Sequence, residues 1–200
     1  MELATDHGRV PLRYHRGEGR GLCVLYPGLH YGVELPFLYF SAKAARYLGY
    51  DLIEVPYQLT ALPQRERGAY LLEVARTTLA WAQERTDRLL LVGKSAGTLV
   101  LAAGFGEVRV PAARVWLTPL LKQERVMGAL KREPKGLLVA GSEDPLSPIE
   151  RIEAVRHPGL EVLVLEGADH SLEQDDPVPT VQGLAAYLEA LLPFVQAALH

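Results

Sequence analysis

The segment at residues 93–97 constrains the fold of this chain more than any other part of the sequence. Its residues are Gly-Lys-Ser-Ala-Gly, and they follow an apolar run at 89–92 that is typical of a strand buried on both faces. Residues 98–103 are typical of the start of a helix. The pattern predicts a sharp strand-to-helix turn at Ser95, because side chains at Gly93 and Gly97 would crowd the crossing strand and helix.

Two later segments also end in polar residues after an apolar run. The run 137–140 leads into Gly-Ser-Glu-Asp at 141–144, and the run 160–165 leads into Gly-Ala-Asp-His at 167–170. In an open parallel sheet, ligands bind at the edge formed by the carboxyl ends of the strands. We therefore expect Ser95, Asp144 and His170 to meet at that edge.

These three residue types, in the order Ser, Asp, His, indicate nucleophilic catalysis. A serine hydroxyl becomes a good nucleophile when a histidine removes its proton and an acid holds the histidine ring. The sequence predicts Ser95 as the nucleophile, His170 as the general base and Asp144 as the orienting acid. Glu143 stays open as an alternative acid, since a one-residue difference in the turn would exchange the two. Asp169 is predicted to be a solvated loop carboxylate.

On these three segments, the chain resembles the α/β-hydrolase superfamily over nearly its whole length, from about residue 22 onward. The resemblance is greatest to the small, lid-less branch that includes dienelactone-hydrolase-like proteins. It implies an α/β fold and hydrolysis of an ester or thioester of a small acyl compound, with no metal or organic cofactor. Two alternatives stay open: an acyltransferase that uses the same triad, and a non-catalytic binding protein that retains the fold.

The superfamily stabilises the oxyanion of the reaction intermediate with backbone N–H groups. The resemblance assigns one donor to Ala96, at the start of a helix where backbone donors are free. It assigns the second to Leu29, in the segment Tyr-Pro-Gly-Leu-His-Tyr-Gly at 26–32. Pro27 stands where the superfamily commonly has histidine. Because the donor is a backbone group, this departure need not remove the oxyanion hole.

Candidate substrate contacts follow from topology alone, because they lie next to the proposed oxyanion donor Leu29 or after another strand end. They are His30, Tyr31, Tyr57 and Leu120, with Gln58, Leu59 and Pro119 as their neighbours. Lys94, next to the serine, is predicted to be an ordinary exposed lysine. Trp81 and Trp116 are predicted to be core residues, and the single cysteine, Cys23, a small buried strand residue.

Strands and helices alternate along almost the whole chain, which predicts a mainly parallel sheet with helices on both faces. Strands are predicted at residues 10–15, 22–26, 51–57, 89–92, 114–120, 137–140 and 160–165, and helices at 36–48, 66–85, 98–103, 149–156 and 178–198. The connection at 121–135 is too short for a lid domain. An open cleft is therefore expected, which a neighbouring subunit of a homo-oligomer could cover.

Length and composition suit one domain over residues 1–200. A chain of this length with 48% hydrophobic and 22% charged residues can bury a core without disulfides or metals. The net charge of −3 and the absence of a basic cluster predict no nucleic-acid or membrane partner. A cytoplasmic protein with a small-molecule acyl substrate is expected, since no signal peptide and no uninterrupted apolar run of roughly 18 residues is recognised.

The composition also permits a hypothesis about heat stability. Asparagine is absent, and arginine outnumbers lysine. Loss of thermolabile residues is typical of thermophilic proteins, and codon usage in a GC-rich genome produces the same composition. Both explanations stay open at this point.

Overall fold

A seven-stranded sheet forms the centre of the protein, in a computed structural model that describes residues 1–6, 8–57, 59 and 62–198. Its strands, in chain order, are β3 (Arg13–His15), β4 (Leu22–Tyr26), β5 (Asp51–Glu54), β6 (Leu89–Lys94), β7 (Ala112–Leu117), β8 (Gly136–Gly141) and β9 (Leu160–Leu165). Across the sheet the order is β3-β5-β4-β6-β7-β8-β9. The edge strand β3 pairs antiparallel with β5, and the other neighbours pair in parallel. The predicted α/β fold with a mostly parallel sheet is confirmed.

Helices cover both faces of the sheet. They are α1 (Pro36–Tyr47), α2 (Gln64–Gln83), α3 (Ala96–Ala103), α4 (Glu124–Leu130), α5 (Ile149–Glu153) and α6 (Pro177–Ala198). On one face α1 packs against α6, and on the other α3 packs against both α2 and α4. The left-handed residue Gly49, with φ of 85°, follows the last turn of α1 and suits the predicted helix end.

Successive residues of the central strands enter two separate hydrophobic cores. In β4, Val24 lies in the core under α2 and α3, whereas Cys23 and Leu25 lie in the core under α1 and α6. In β6, Leu91 lies in the core under α2 and α3, and Leu90 lies in the core under α1 and α6. Because both faces are covered, these strands are continuous apolar runs. Cys23 is fully buried, as predicted, and burial raises the pKa of its thiol.

The N-terminal part of the chain differs from the prediction of one edge strand at 10–15. A hairpin of β1 (Glu2–Thr5) and β2 (Gly8–Pro11) forms a separate two-stranded sheet. The chain then changes sheets at Leu12, which is buried, and continues as β3. A single apolar-rich run therefore contains two strands with different partners, which its residue pattern does not distinguish.

Other elements also differ from the prediction. The strand predicted at 114–120 ends at Leu117, before Thr118 with its φ of 41°, and the helix predicted at 149–156 ends at Glu153. The strand predicted at 51–57 ends at Glu54, and Pro56 beyond it has no N–H to donate to a sheet. The charged connection at 121–135 contains α4, which buries Val126, Ala129 and Leu130. A helix this short offers too few turns for its apolar period to stand out from the charged residues around it.

Helix α6 is long and apolar enough to cross a bilayer by length and composition alone. It packs against α1 and against β7, β8 and β9, and it buries Tyr187, Leu191, Phe194 and Val195. The Tyr187 hydroxyl is 2.5 Å from the Ser41 hydroxyl of α1. These contacts place its buried side chains in the core, whereas Val178 and Val181 near its start are exposed. The expected lack of a membrane partner stays a prediction.

A buried ion pair joins β7 to the segment after α4. Arg114 Nη1 donates to Glu133 Oε1 at 3.0 Å, and Trp116 Nε1 donates to Glu133 Oε2 at 3.0 Å. Burial raises the pKa of Glu133, while the Arg114 charge and the Trp116 donor oppose that shift. Trp116 is a core residue, as predicted, whereas Trp81 is half-buried at the edge of the core.

We expect Glu133→Ala to lower the free energy of unfolding by about 3–5 kcal/mol, because the Arg114 guanidinium would stay buried without its counter-charge. Urea denaturation followed by circular dichroism measures this change. The exposed Glu143 gives the control, since Glu143→Ala should change stability by less than about 0.5 kcal/mol. Equal stability losses in the two variants would contradict the structural role of the pair.

Candidate active site

Ser95 forms the turn between β6 and α3. It has φ of 51° and ψ of −112°, a conformation that costs an L residue on the order of 1–3 kcal/mol. Its N–H donates to the Leu117 carbonyl of β7 at 2.9 Å, so the backbone stays attached to the sheet up to the turn. The strand therefore ends and the helix begins at one strained residue.

The two glycines of the segment are required by close backbone approaches. A Cβ at Gly97 would lie 2.1 Å from the Tyr26 carbonyl oxygen of β4, and one at Gly93 would lie 2.7 Å from the Gly97 carbonyl oxygen. Neither backbone atom can move without shifting a strand or a helix. The predicted steric reason for the glycines is confirmed.

The structure brings Ser95, His170 and Asp144 together in one hydrogen-bonded series. Ser95 Oγ is 2.8 Å from His170 Nε2, and His170 Nδ1 is 2.8 Å from Asp144 Oδ2. An ionised carboxylate only accepts hydrogen bonds, so Nδ1 carries the ring proton and Nε2 is free to accept from the Ser95 hydroxyl. Glu143 is exposed and makes no such contact, so Asp144 occupies the position beside the histidine.

Asp144 is buried and supported by its own turn. Its second carboxylate oxygen accepts the Leu146 N–H at 2.8 Å. Burial alone would raise the pKa of Asp144, but the hydrogen bonds from His170 and the Leu146 N–H outweigh it and lower the pKa below its ordinary value. The carboxylate is therefore ionised at neutral pH. It can stabilise a positive charge on the imidazole.

The loop that carries His170 is closed by Asp169. The Asp169 carboxylate accepts the N–H groups of Ser171 at 2.7 Å and Glu173 at 3.1 Å. Its side chain is exposed and does not approach the ring of His170 as a second acid. The Asp169 carboxylate therefore orders the turn immediately after the histidine, a role that the sequence did not indicate.

The segment at 26–32 passes directly beside Ser95. A Cβ at Gly28 would lie 3.3 Å from the Ser95 Cβ, and the Gly28 N–H donates to the Tyr31 carbonyl at 2.9 Å. Leu29 lies within this turn and is 40% exposed, and Ala96 begins α3. In the described part of the chain, neither the Leu29 N–H nor the Ala96 N–H donates to a protein acceptor. Their part in an oxyanion hole stays a prediction.

The predicted substrate contacts have different surroundings. Tyr57 donates its hydroxyl to the Pro27 carbonyl at 2.6 Å, and the Tyr31 hydroxyl accepts the Phe37 N–H at 3.1 Å. Both rings are buried, whereas His30 is exposed. The side chains that line an adjacent cleft of about 350 Å³ include those of Arg13, His30, Tyr31, Glu34 and Tyr57.

Of the remaining candidate contacts, Leu120 and Leu59 are among the described residues. Leu120 is half-buried and its N–H donates to the Thr98 hydroxyl at 3.3 Å, which attaches the loop after β7 to α3. Leu59 is buried, and Gln58 lies outside the described residues. Contact of any of these side chains with a substrate stays a prediction.

Lys94 is not the exposed lysine that the sequence predicted. It is 1% exposed, and its Nζ donates to the Thr118 hydroxyl and to the His170 carbonyl, both at 2.6 Å. Nζ also lies 4.6 Å from the centroid of the Tyr31 ring. The prediction was wrong because β6 is covered on both faces up to its last residue. The sequence carried no signal for this burial, because the predicted strand ended at residue 92 and β6 continues to Lys94.

Potential metal ligands do not cluster in the described ranges. Within residues 1–6, 8–57, 59 and 62–198, no group of three or more His, Cys, Asp or Glu side chains is arranged to hold a metal ion. The expected independence from a cofactor stays a prediction.

Because Ser95 is strained, its glycine variant should be more stable than its alanine variant. We expect Ser95→Gly to be more stable than Ser95→Ala by about 1 kcal/mol, because glycine adopts a positive φ at no steric cost and alanine does not. Urea denaturation of the two variants measures the difference. At Ser171, which has no positive φ, the alanine variant should be at least as stable as the glycine variant. The same order at both positions would mean that the turn is not strained.

Comparison with solved structures identifies chains of similar architecture. A serine hydrolase homologue from Coxiella burnetii matches with a TM-score of 0.73 and 18% identity, over 96% of this chain and 95% of that one. Est1E from Butyrivibrio proteoclasticus matches at 0.74 and 16%, over 99% and 98%. The esterase Pf2001 from Pyrococcus furiosus matches at 0.74 and 14%, over 98% and 91%.

No protein-family model and no curated protein matches the chain. The similarity to these solved structures therefore concerns the fold, over 96% to 99% of this chain. The resemblance to α/β-hydrolases is confirmed at that level, and the dienelactone-hydrolase-like branch stays a prediction. The chain has the α/β-hydrolase fold.

Proposed function

We propose that the protein is a serine hydrolase that cleaves an ester or thioester of a small acyl compound. The observation that carries the proposal is the series Asp144–His170–Ser95, with 2.8 Å at both contacts. The three side chains follow β8, β9 and β6, so the sheet itself supports their spacing. Proteins of the same fold that are named as a serine hydrolase homologue and as an esterase add support.

The first half of the reaction is acylation of Ser95. As Ser95 Oγ attacks the carbonyl carbon, His170 Nε2 takes the hydroxyl proton, and Asp144 stabilises the imidazolium that forms. The Ala96 and Leu29 N–H groups hold the negative oxygen of the tetrahedral intermediate. His170 then gives its proton to the leaving alcohol or thiol, and the acyl group remains on Ser95.

The second half repeats these steps with water. His170 takes a proton from a water molecule as it attacks the acyl-serine, and the same N–H groups hold the second tetrahedral intermediate. Collapse returns the proton to Ser95 and releases the acid. The whole cycle needs no metal or organic cofactor. The cleft of about 350 Å³ beside Tyr31 and Tyr57 suits one small group of the substrate.

We expect Ser95→Ala and His170→Ala each to lower kcat on the order of a million-fold, because the triad acts as a unit. The assay uses short- and medium-chain p-nitrophenyl esters and acyl-CoA thioesters, and product analysis distinguishes hydrolysis from acyl transfer. A fluorophosphonate probe should label the wild type at Ser95. Ser171→Ala, in the same loop as His170, should keep nearly full activity.

Two results would contradict the proposal. Folded wild-type protein that neither turns over the panel nor reacts with the probe would favour the binding-protein alternative. Turnover that survives in Ser95→Ala would assign the activity to another site or to a contaminant.

Substitutions of Asp144 and of Glu143 should have very different effects on kcat. Asp144→Asn should lower kcat by about 10⁴-fold, because a neutral amide can donate to Nδ1 and so favours the tautomer in which Nε2 carries the proton. Glu143→Gln should change kcat by less than about twofold, since its side chain is exposed and away from the ring. The reverse order in steady-state kinetics at pH 7 would show that Glu143 is the functional acid.

A further inference from the structure

Lys94 is the residue beside Ser95, and its side chain passes beneath the candidate active site. We propose that Lys94 is a positioning residue whose ammonium group holds the His170 loop and the Gly28–Tyr31 turn in place around Ser95. The proposal rests on the proposed function, because positioning has a consequence for rate only where these elements carry out a reaction.

The ammonium group has three N–H donors, and three acceptors on three different elements surround it. The Thr118 hydroxyl after β7 and the His170 carbonyl after β9 each accept at 2.6 Å. The face of the Tyr31 ring is the third, with Nζ 4.6 Å from its centroid, within the range of a cation–π contact. A protonated lysine is thus fully satisfied without water.

The charge of Lys94 argues against a role in packing alone. No carboxylate among the described residues lies within ion-pair distance of its Nζ. Burial lowers its pKa to about 8, and the more distant Asp144, Asp169 and Glu173 oppose that shift. Burying an ammonium group costs several kcal/mol. An apolar side chain of equal length would fill the same space at lower cost, so the contacts made by the cation account for its presence.

The contact with His170 bears directly on the distances in the triad. Nζ holds the backbone carbonyl of the histidine itself, while Asp169 closes the turn after it. The His170 carbonyl and the Ser171 N–H belong to one peptide group, which is therefore held at both of its polar atoms. With that peptide group fixed, the ring has little freedom to leave the 2.8 Å contacts with Ser95 Oγ and Asp144 Oδ2. A misplacement of about 1 Å at such a contact can cost on the order of 100-fold in rate.

The contact with Tyr31 bears on the proposed oxyanion donor. The Tyr31 carbonyl accepts the Gly28 N–H, and its hydroxyl accepts the Phe37 N–H at the start of α1. Tyr31 therefore links Lys94 to the turn that contains Leu29, because its ring contacts Nζ and its backbone carbonyl belongs to that turn. Thr118 is also held in a strained conformation, with φ of 41°, at the end of the strand next to Ser95.

Lys94→Met tests the proposal, because methionine has a similar length and neither charge nor N–H donors. We expect kcat to fall about 10- to 100-fold with KM within about twofold, since Nζ is buried and does not touch substrate. The second-order rate of fluorophosphonate labelling should fall by a similar factor. Lys94→Gln is measured in the same way in case the methionine variant does not fold at the assay temperature.

Lys43 offers a matched control, because it is an exposed lysine whose Nζ lies 5.4 Å from the Tyr39 ring centroid on α1. Lys43→Met should leave kcat, KM and the labelling rate unchanged. A kcat within twofold of wild type in a folded Lys94 variant overturns the proposal. A rise in KM at unchanged kcat also overturns it, since that result would assign Lys94 to substrate binding.

A proton NMR measurement separates this proposal from the proposed function. The Nδ1 proton of His170, hydrogen-bonded to Asp144, should give a resolved low-field resonance in the wild type and in Lys43→Met. In Lys94→Met we expect the resonance to be lost through faster exchange with water. If that loss occurs in a protein that turns over no substrate, positioning by Lys94 is supported and the hydrolase function fails. If the resonance and kcat are both retained, the hydrolase function stands and positioning fails.

Discussion

The contact between the first turn of α3 and β4 determines the geometry of the whole candidate site. A Cβ at Gly97 would lie 2.1 Å from the Tyr26 carbonyl oxygen, so helix and strand meet backbone to backbone. The chain must therefore reverse from β6 into α3 within one residue, and Ser95 takes the strained conformation that this reversal requires. The same approach brings the start of α3, with its free N–H groups, beside the turn at Gly28.

Packing in the two hydrophobic cores offsets the free-energy cost of the strained residues and the buried charge at the edge of the sheet. Ser95 and Thr118 both have positive φ, and Lys94 carries a buried charge between them. Each of these features destabilises the native state by kcal/mol amounts. The central strands are covered on both faces, so their ends cannot relax by moving apart. Close packing beneath the edge holds these residues in strained conformations that would relax in an isolated loop.

The sequence predicted the parallel sheet because its central strands are continuous apolar runs, and it predicted the meeting of Ser95, Asp144 and His170 because each follows such a run. It could not distinguish the hairpin β1–β2 from β3, since strand partners are not encoded in a local pattern. It also missed the burial of Lys94. That burial depends on Thr118, His170 and Tyr31, which converge on its ammonium group only in the folded chain.

The position of Lys94 explains how separate loops can act together. Helix–strand contacts fix Ser95, and hydrogen bonds within their own turns fix Asp144 and the residues after His170. Other hydrogen bonds join neighbouring loops in pairs, as the Glu143 N–H does with the Ala168 carbonyl at 3.0 Å. A central cation adds a link among three loops, because its attraction to a hydroxyl, a carbonyl and a ring acts on all three at once and grows stronger where water is excluded. A buried charge without a counter-charge is then consistent with a site that requires alignment across loops rather than added stability.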